Sequence, residues 1–219
     1  MDISYNKIGK HACEYISEIL KDDKTELLSL NIAGNFIGDK NFSEICVGIS
    51  KNSSLLKLNA SANELGKISS VILGTILRYD KKLKYLDVSK NYFNDDIIKN
   101  LLKGLISNSN LESLILNENN LSNASLKNFE TTLSVNSTMK EIFLERNLFS
   151  NSSSSKFLSI FYKNCNIELI SLIGNKLEFE FADAMIQNEK KLPVKILNKA
   201  DYLAQRMKND ENINFHEYF

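Results

Sequence analysis

The side chains of this sequence that could do chemistry are few and scattered. His11 and His216 are its two histidines. Paired acids occur at Asp22-Asp23 and Asp95-Asp96. Such pairs can hold a cation or share a proton, but both lie where helices are expected to begin or end, so solvated or capping roles are expected. Cys13, Cys46 and Cys165 are an odd number, far apart, with no Cys-x-x-Cys pair. Neither a disulfide framework nor a zinc site follows, and reduced, packed thiols are expected. There is no Gly-x-Gly-x-x-Gly, P-loop, His-Glu-x-x-His or Gly-x-Ser-x-Gly motif. Glu118 and Glu145 are the one acid pair that could work together, and Lys90 and Arg146 flank them, which makes a salt-bridged surface the simpler reading. No catalytic residue, metal or cofactor is expected.

What must position these residues is a repeat. Leu27, Leu30, Ile32, Asn35 and Ile37 follow L-x-x-L-x-L-x-x-N-x-L, and adding 28 gives Leu55, Leu58, Ala60, Asn63 and Leu65. The same step reaches Leu83, Leu86, Val88, Asn91 and Phe93, then Leu111, Leu114, Leu116, Asn119 and Leu121. It continues through Met139, Ile142, Leu144, Asn147 and Phe149, and through Ile167, Ile170, Leu172, Asn175 and Leu177. Ile3, Asn6 and Ile8 form the second half of an earlier turn, so one partial and six full copies are present. Alternation at L-x-L is the period of a strand. The recurring column Asn6, Asn35, Asn63, Asn91, Asn119, Asn147 and Asn175 is predicted to form a ladder of amides serving buried backbone groups where the chain leaves each strand.

Between strands the period turns helical. The predicted inward faces are Ala12, Ile16, Ile19 and Leu20; Phe42, Ile45 and Ile49; Ile68, Ile72, Ile76 and Leu77; Ile98, Leu101, Leu102 and Leu105; Leu126, Phe129 and Leu133; and Phe157, Leu158 and Phe161. Polar stops at Asn52, Asp80, Asn108, Asn136 and Asn164 suit the tight or left-handed backbone of a helix C-terminus.

Six copies in one register resemble the leucine-rich repeat over roughly residues 1 to 200. The 28-residue turn and the phrase Asn35-Phe36-Ile37-Gly38-Asp39 are similar to the ribonuclease-inhibitor-like subclass. That resemblance implies an α/β solenoid, a curved horseshoe with parallel β-strands on the concave face and α-helices on the convex face. The array is expected over 1–190. A C-terminal cap over 191–219 would hold an irregular strand near Leu192 to Leu197, a helix near Ala200 to Lys208 and an aromatic tail from Ile213 to Phe219. A helix over Phe179 to Asn188 would close the last repeat. The array opens in mid-repeat, so a first helix with an exposed apolar flank and missing upstream repeats are expected.

On the concave face the residues between consensus positions point outward. Turns three to five gather Tyr85, Asp87, Lys90, Ile115, Glu118, Phe143, Glu145 and Arg146 there, the aromatic, arginine and charged composition of an interface hot spot. A protein or peptide partner is therefore expected, with no small-molecule substrate. Lys plus Arg and Asp plus Glu are both 27, a net charge of +0, which argues against a nucleic-acid or anionic-membrane partner. No run reaches the roughly 20 apolar residues of a membrane span. With the cysteines, this points to a cytoplasmic protein, either a monomer or part of a larger assembly. The resemblance also admits two alternatives: regulation of a small GTPase, as in Ran GTPase activators, or a structural subunit of a cytoskeletal or ciliary assembly. For the first, Arg78, Arg146 and Arg206 offer few catalytic fingers.

Overall fold

The computed structural model describes residues 1–22, 24–80, 82–163, 166–177 and 195–197. Helices and three-residue strands alternate: α1 (Lys10–Lys21), β1 (Ser29–Asn31), α2 (Gly38–Lys51), β2 (Lys57–Asn59), α3 (Lys67–Tyr79), β3 (Tyr85–Asp87), α4 (Asp95–Leu105), β4 (Ser113–Ile115), α5 (Leu126–Leu133), β5 (Glu141–Phe143), α6 (Ser154–Lys163), β6 (Leu169–Ser171) and β7 (Lys195–Leu197). Short 3₁₀ turns at Asn123–Ser125 and Asn151–Ser153 lead into α5 and α6. The seven strands form one parallel sheet in chain order. From β1 to β6 each strand pairs with the next so that Leu30, Leu58, Leu86, Leu114, Ile142 and Ile170 stand side by side. Strand β7 joins parallel to β6, with Ile170 opposite Ile196. The other elements expected in 178–219 lie outside the described residues, as do Asn164, Cys165 and the side chains of Leu158 and Phe161.

Strand, helix and strand repeated at one period around an all-parallel sheet form a leucine-rich-repeat-like arrangement. The strand leucines, with Ile32, Ala60, Val88, Leu116, Leu144 and Leu172, point between sheet and helices into one continuous buried core. At the other edge Met1 to Tyr5 runs along β1: the Ile3 N–H donates to Asn31 O at 2.9 Å and the Tyr5 N–H to Ala33 O at 2.7 Å.

The inward faces predicted for α2, α4 and α5 are buried, but those of α1 and α3 are rotated. Ile19 is 42% and Ile68 54% exposed, while Cys13, Ser17, Ser69, Ser70 and Gly74 are turned inward. The reason is close backbone approach between consecutive helices, which favours small residues over apolar ones. A Cβ on Gly48 would lie 2.7 Å from Ser17 O, and one on Gly74 or Gly104 would collide with the α4 or α3 backbone.

The polar stops also differ from expectation. Asn52 and Asp80 have φ/ψ of −71/138 and −67/136, extended and not left-handed. They stop the helix through their side chains. Asn108 Oδ1 accepts the N–H groups of Asn110 and Leu111, while its Nδ2 donates at 2.7 Å to Leu77 O at the end of the previous helix. Asn52 and Asn136 repeat this pattern onto Leu20 O and Leu105 O. One column thus caps its neighbour's helix and turns its own chain into the strand.

Helix starts are shared between turns as well. Gly66 cannot cap α3 with a side chain, and Asp39 of the preceding turn does so: it accepts from the N–H groups of Gly66 (2.7 Å), Ser69 (3.0 Å) and Ile68 (3.1 Å) and from the Ser69 hydroxyl. Asp95 accepts from Ser122 in the same way at the start of the following helical segment.

Candidate functional site

Parallel register turns the outward side of the sheet into rows. One row runs Lys57, Tyr85, Ser113, Glu141, Leu169, and the next Asn59, Asp87, Ile115, Phe143, Ser171. Tyr85, Asp87, Glu141 and Phe143 are half-buried. Ile115, expected as an exposed apolar anchor, is only 7% exposed, because Asp87 and Phe143 stand against it on the strands to either side. It is the floor of the patch. Ser113 beside it is equally buried, and its hydroxyl has no hydrogen-bond partner. Ser113 and Glu141 belong to columns legible in the sequence, but neither residue type marks itself as a site.

Asp87 is partly committed locally, its Oδ1 accepting the Ser89 N–H at 2.9 Å. Asn31 and Asn59 make the same turn in earlier repeats. The Tyr85 hydroxyl is pushed above its ordinary value, first by burial and then by the charges of Asp87 and Glu141. Two carboxylates therefore lie within electrostatic reach of one phenol.

Where the chain leaves each strand, Lys90, Glu118 and Arg146 occupy the left-handed region with φ of 54, 54 and 51°. Gly34, Ala62 and Gly174 hold the same place in other turns. In this conformation each backbone N–H donates to the next turn: Lys90 to Asn117 O at 2.8 Å, Glu118 to Glu145 O at 2.9 Å, and Arg146 to Ile173 O at 2.8 Å. The side chains meet as a triad: Glu118 Oε1 lies 3.6 Å from Lys90 Nζ and 3.5 Å from Arg146 Nη1. Such exposed pairs contribute under about 1 kcal/mol each. Glu145 stands apart, accepting the Ser171 hydroxyl at 2.6 Å. The two glutamates thus serve different partners.

Beneath this surface lies the asparagine column. Asn91 Oδ1 accepts the N–H groups of Asn63 (3.0 Å) and Leu65 (2.9 Å), and its Nδ2 donates to Ala60 O, Val88 O and Ser89 O. Asn63 does the same for Asn35 and Ile37, Asn147 for Asn119 and Leu121, and Asn35 for Asn6 and Ile8. Asn119 and Asn175 accept from Phe93 and Phe149. Asn6, first in the column, donates to Ser4 O.

Other chemistry is structural in geometry. Lys84 and Lys140 clamp Glu112 at 2.7 Å each along one rim, holding its carboxyl down at about 2. His11 pairs with Glu14 on the exposed side of α1, and His216 lies outside the described residues. Burial, with help from the Glu14 charge, pushes the Cys13 thiol up to about 11; burial alone pushes Cys46 higher still. Among the described residues no group of three or more His, Cys, Asp or Glu could hold a metal ion.

The chain is 32% identical over 119 residues to Protein CARMIL of Dictyostelium discoideum, a match covering 52% of this chain and 11% of that protein. The chain thus spans about a tenth of that relative's length. Among solved structures it is similar to Leiomodin-1 Actin-Binding Site 2 (ABS2), at 14% identity and a TM-score of 0.49, covering 89% of this chain and 92% of that one. No protein-family model matches the sequence. Among the described residues no helix is long and apolar enough to cross a membrane.

Proposed function

We propose that this chain is a protein-binding module of the ribonuclease-inhibitor-like leucine-rich-repeat type, that it works without catalysis, and that its partner docks on the strand side over β3 to β5, the concave side of a curved array. The observation that carries this reading is the Tyr85, Ile115 and Phe143 cluster with the Lys90, Glu118 and Arg146 triad beside it. Rigid aromatic groups over an apolar floor, rimmed by charges, are the anatomy of an interface centre. The side chains stand on strands locked in register by the asparagine column, so little order must be gained on binding. A protein or peptide suits a surface whose rows cross several strands about 4.8 Å apart. A cytoplasmic setting fits the buried, reduced thiols of Cys13 and Cys46.

Affinity capture with the native chain and a Tyr85→Ala, Phe143→Ala, Arg146→Ala variant tests this reading. Loss of the native partners from the variant is expected, and an unchanged set of partners contradicts it. A second reading, a subunit whose helix side makes the contacts, is favoured by Tyr15, Ile19, Val47 and Val71, which stand exposed on α1 to α3.

A further inference from the structure

Within this surface the row through β3, β4 and β5 has an unusual composition. Tyr85 and Glu141 stand on either side of Ser113, roughly 10 Å apart across two strand spacings, and Asp87 follows Tyr85 on the same face. Ser113 is the small residue between them, only 7% exposed, and Phe143 stands on β5 in the adjacent row. Among the described residues Asp87 and Glu141 form no ion pair, and both carboxylates are half-buried on this face. Of the cations nearby, Lys140 is clamped to Glu112 and also feels the Glu141 charge, Lys90 and Arg146 hold Glu118, and Lys57 stands next to Tyr85 in the row. The Ser113 hydroxyl, sealed at the floor without a partner, is a second unmet polar group in the same place. A buried hydroxyl left unpaired costs about 1 to 3 kcal/mol.

We propose that the surface over Ser113, between Tyr85 and Glu141, takes one cationic side chain, an arginine or lysine, of a partner polypeptide. Its charge would lie between Asp87 and Glu141 and its stem against the Tyr85 and Phe143 rings. The rings add cation–π attraction to the two ion pairs. The unpartnered Ser113 hydroxyl would accept the incoming N–H. The subsite rests on the strand-side reading of function and adds to it the sign of the partner: a basic segment, where the outer triad alone would admit either charge.

The test uses the full chain, isotope-labelled for amide NMR, titrated with an acetylated and amidated pentapeptide carrying one central arginine among alanine and glycine. Versions with citrulline or glutamate at the centre serve as comparisons. The arginine peptide is expected to shift the amides of Tyr85, Ser113, Ile115 and Glu141 saturably and to bind about fivefold more tightly than the citrulline peptide. An Asp87→Asn, Glu141→Gln variant is expected to abolish that difference. It retains the fold, because Asn31 and Asn59 already make the Asp87 turn in neighbouring repeats. Ser113→Ala is expected to weaken binding of the arginine peptide while leaving the free chain as stable or more so. Equal binding of arginine and citrulline peptides at these amides overturns the subsite but leaves the strand-side reading standing. No shift at these amides with any peptide also overturns the subsite, and the strand-side reading is then judged by the capture experiment with the Tyr85, Phe143 and Arg146 variant.

Discussion

Asn91 reaches back one full turn to Asn63: its Oδ1 accepts the Asn63 backbone N–H at 3.0 Å while its Nδ2 feeds three carbonyl oxygens. Asn91 is 4% exposed, so water cannot replace those bonds without opening the turn. Asn91→Ala is therefore expected to destabilise the chain by about 1 to 3 kcal/mol, read by urea unfolding. A change within 0.5 kcal/mol would remove the asparagine column from the stability of the array.

Asp39 couples two turns at a helix start. Burial alone would raise its carboxyl, but the hydrogen bonds from the Ser69 hydroxyl and from the Gly66, Ser69 and Ile68 N–H groups hold it below its ordinary 3.8. Because the folded value is the lower one, the stability it contributes is fully present above 3.8 and is lost as pH falls through the folded value. Asp39→Ala is expected to cost about 1 kcal/mol at neutral pH. Asp39→Asn should flatten the acid limb of a stability–pH profile, and an unchanged acid limb would show that Asp39 does not cap α3.

Gly104 sits where α4 meets α3, and a Cβ there would collide with the Gly74 carbonyl. In an isolated helix Gly→Ala stabilises by about 0.5 to 1 kcal/mol. Here Gly104→Ala is expected to destabilise, by about 1 to 3 kcal/mol, because the backbones must separate. Thermal unfolding of the variant checks the sign.

Cys13 and Cys46 are buried, with thiols pushed upward by desolvation. Both should resist iodoacetamide at pH 8 in the native chain and react promptly once unfolded, as mapped by peptide mass spectrometry. Fast native labelling of Cys46 would show that α2 opens readily.

The repeat, its strands and the asparagine column were legible in the sequence because every turn meets the same packing demand, so Leu30 and Asn35 recur at a fixed step. What depends on a neighbouring turn was not. Ile115 reads as outward from its own strand, and only Asp87 and Phe143 on the strands beside it make it the floor of the patch. Ser17, Gly48 and Gly74 lack apolar character, yet close helix approach puts them inside and turns Ile19 and Ile68 out. Asp39 looks like a residue of its own helix, but its capped N–H groups begin the next one. Asn52 and Asp80 have the right identity for a helix stop and the wrong inferred backbone, because an Asx side chain can end a helix with φ still negative.

The most direct measurement is hydroxyl-radical footprinting of the chain alone and bound to its captured partner. Aromatic probes stand on both sides: Tyr85 and Phe143 on the strand side, Tyr15 and Tyr79 exposed on the helices. Docking over β3 to β5 predicts protection of Tyr85 and Phe143 with Tyr15 and Tyr79 oxidised as before. Protection of Tyr15 and Tyr79 with Tyr85 and Phe143 unchanged would contradict it and place the interface on the helices.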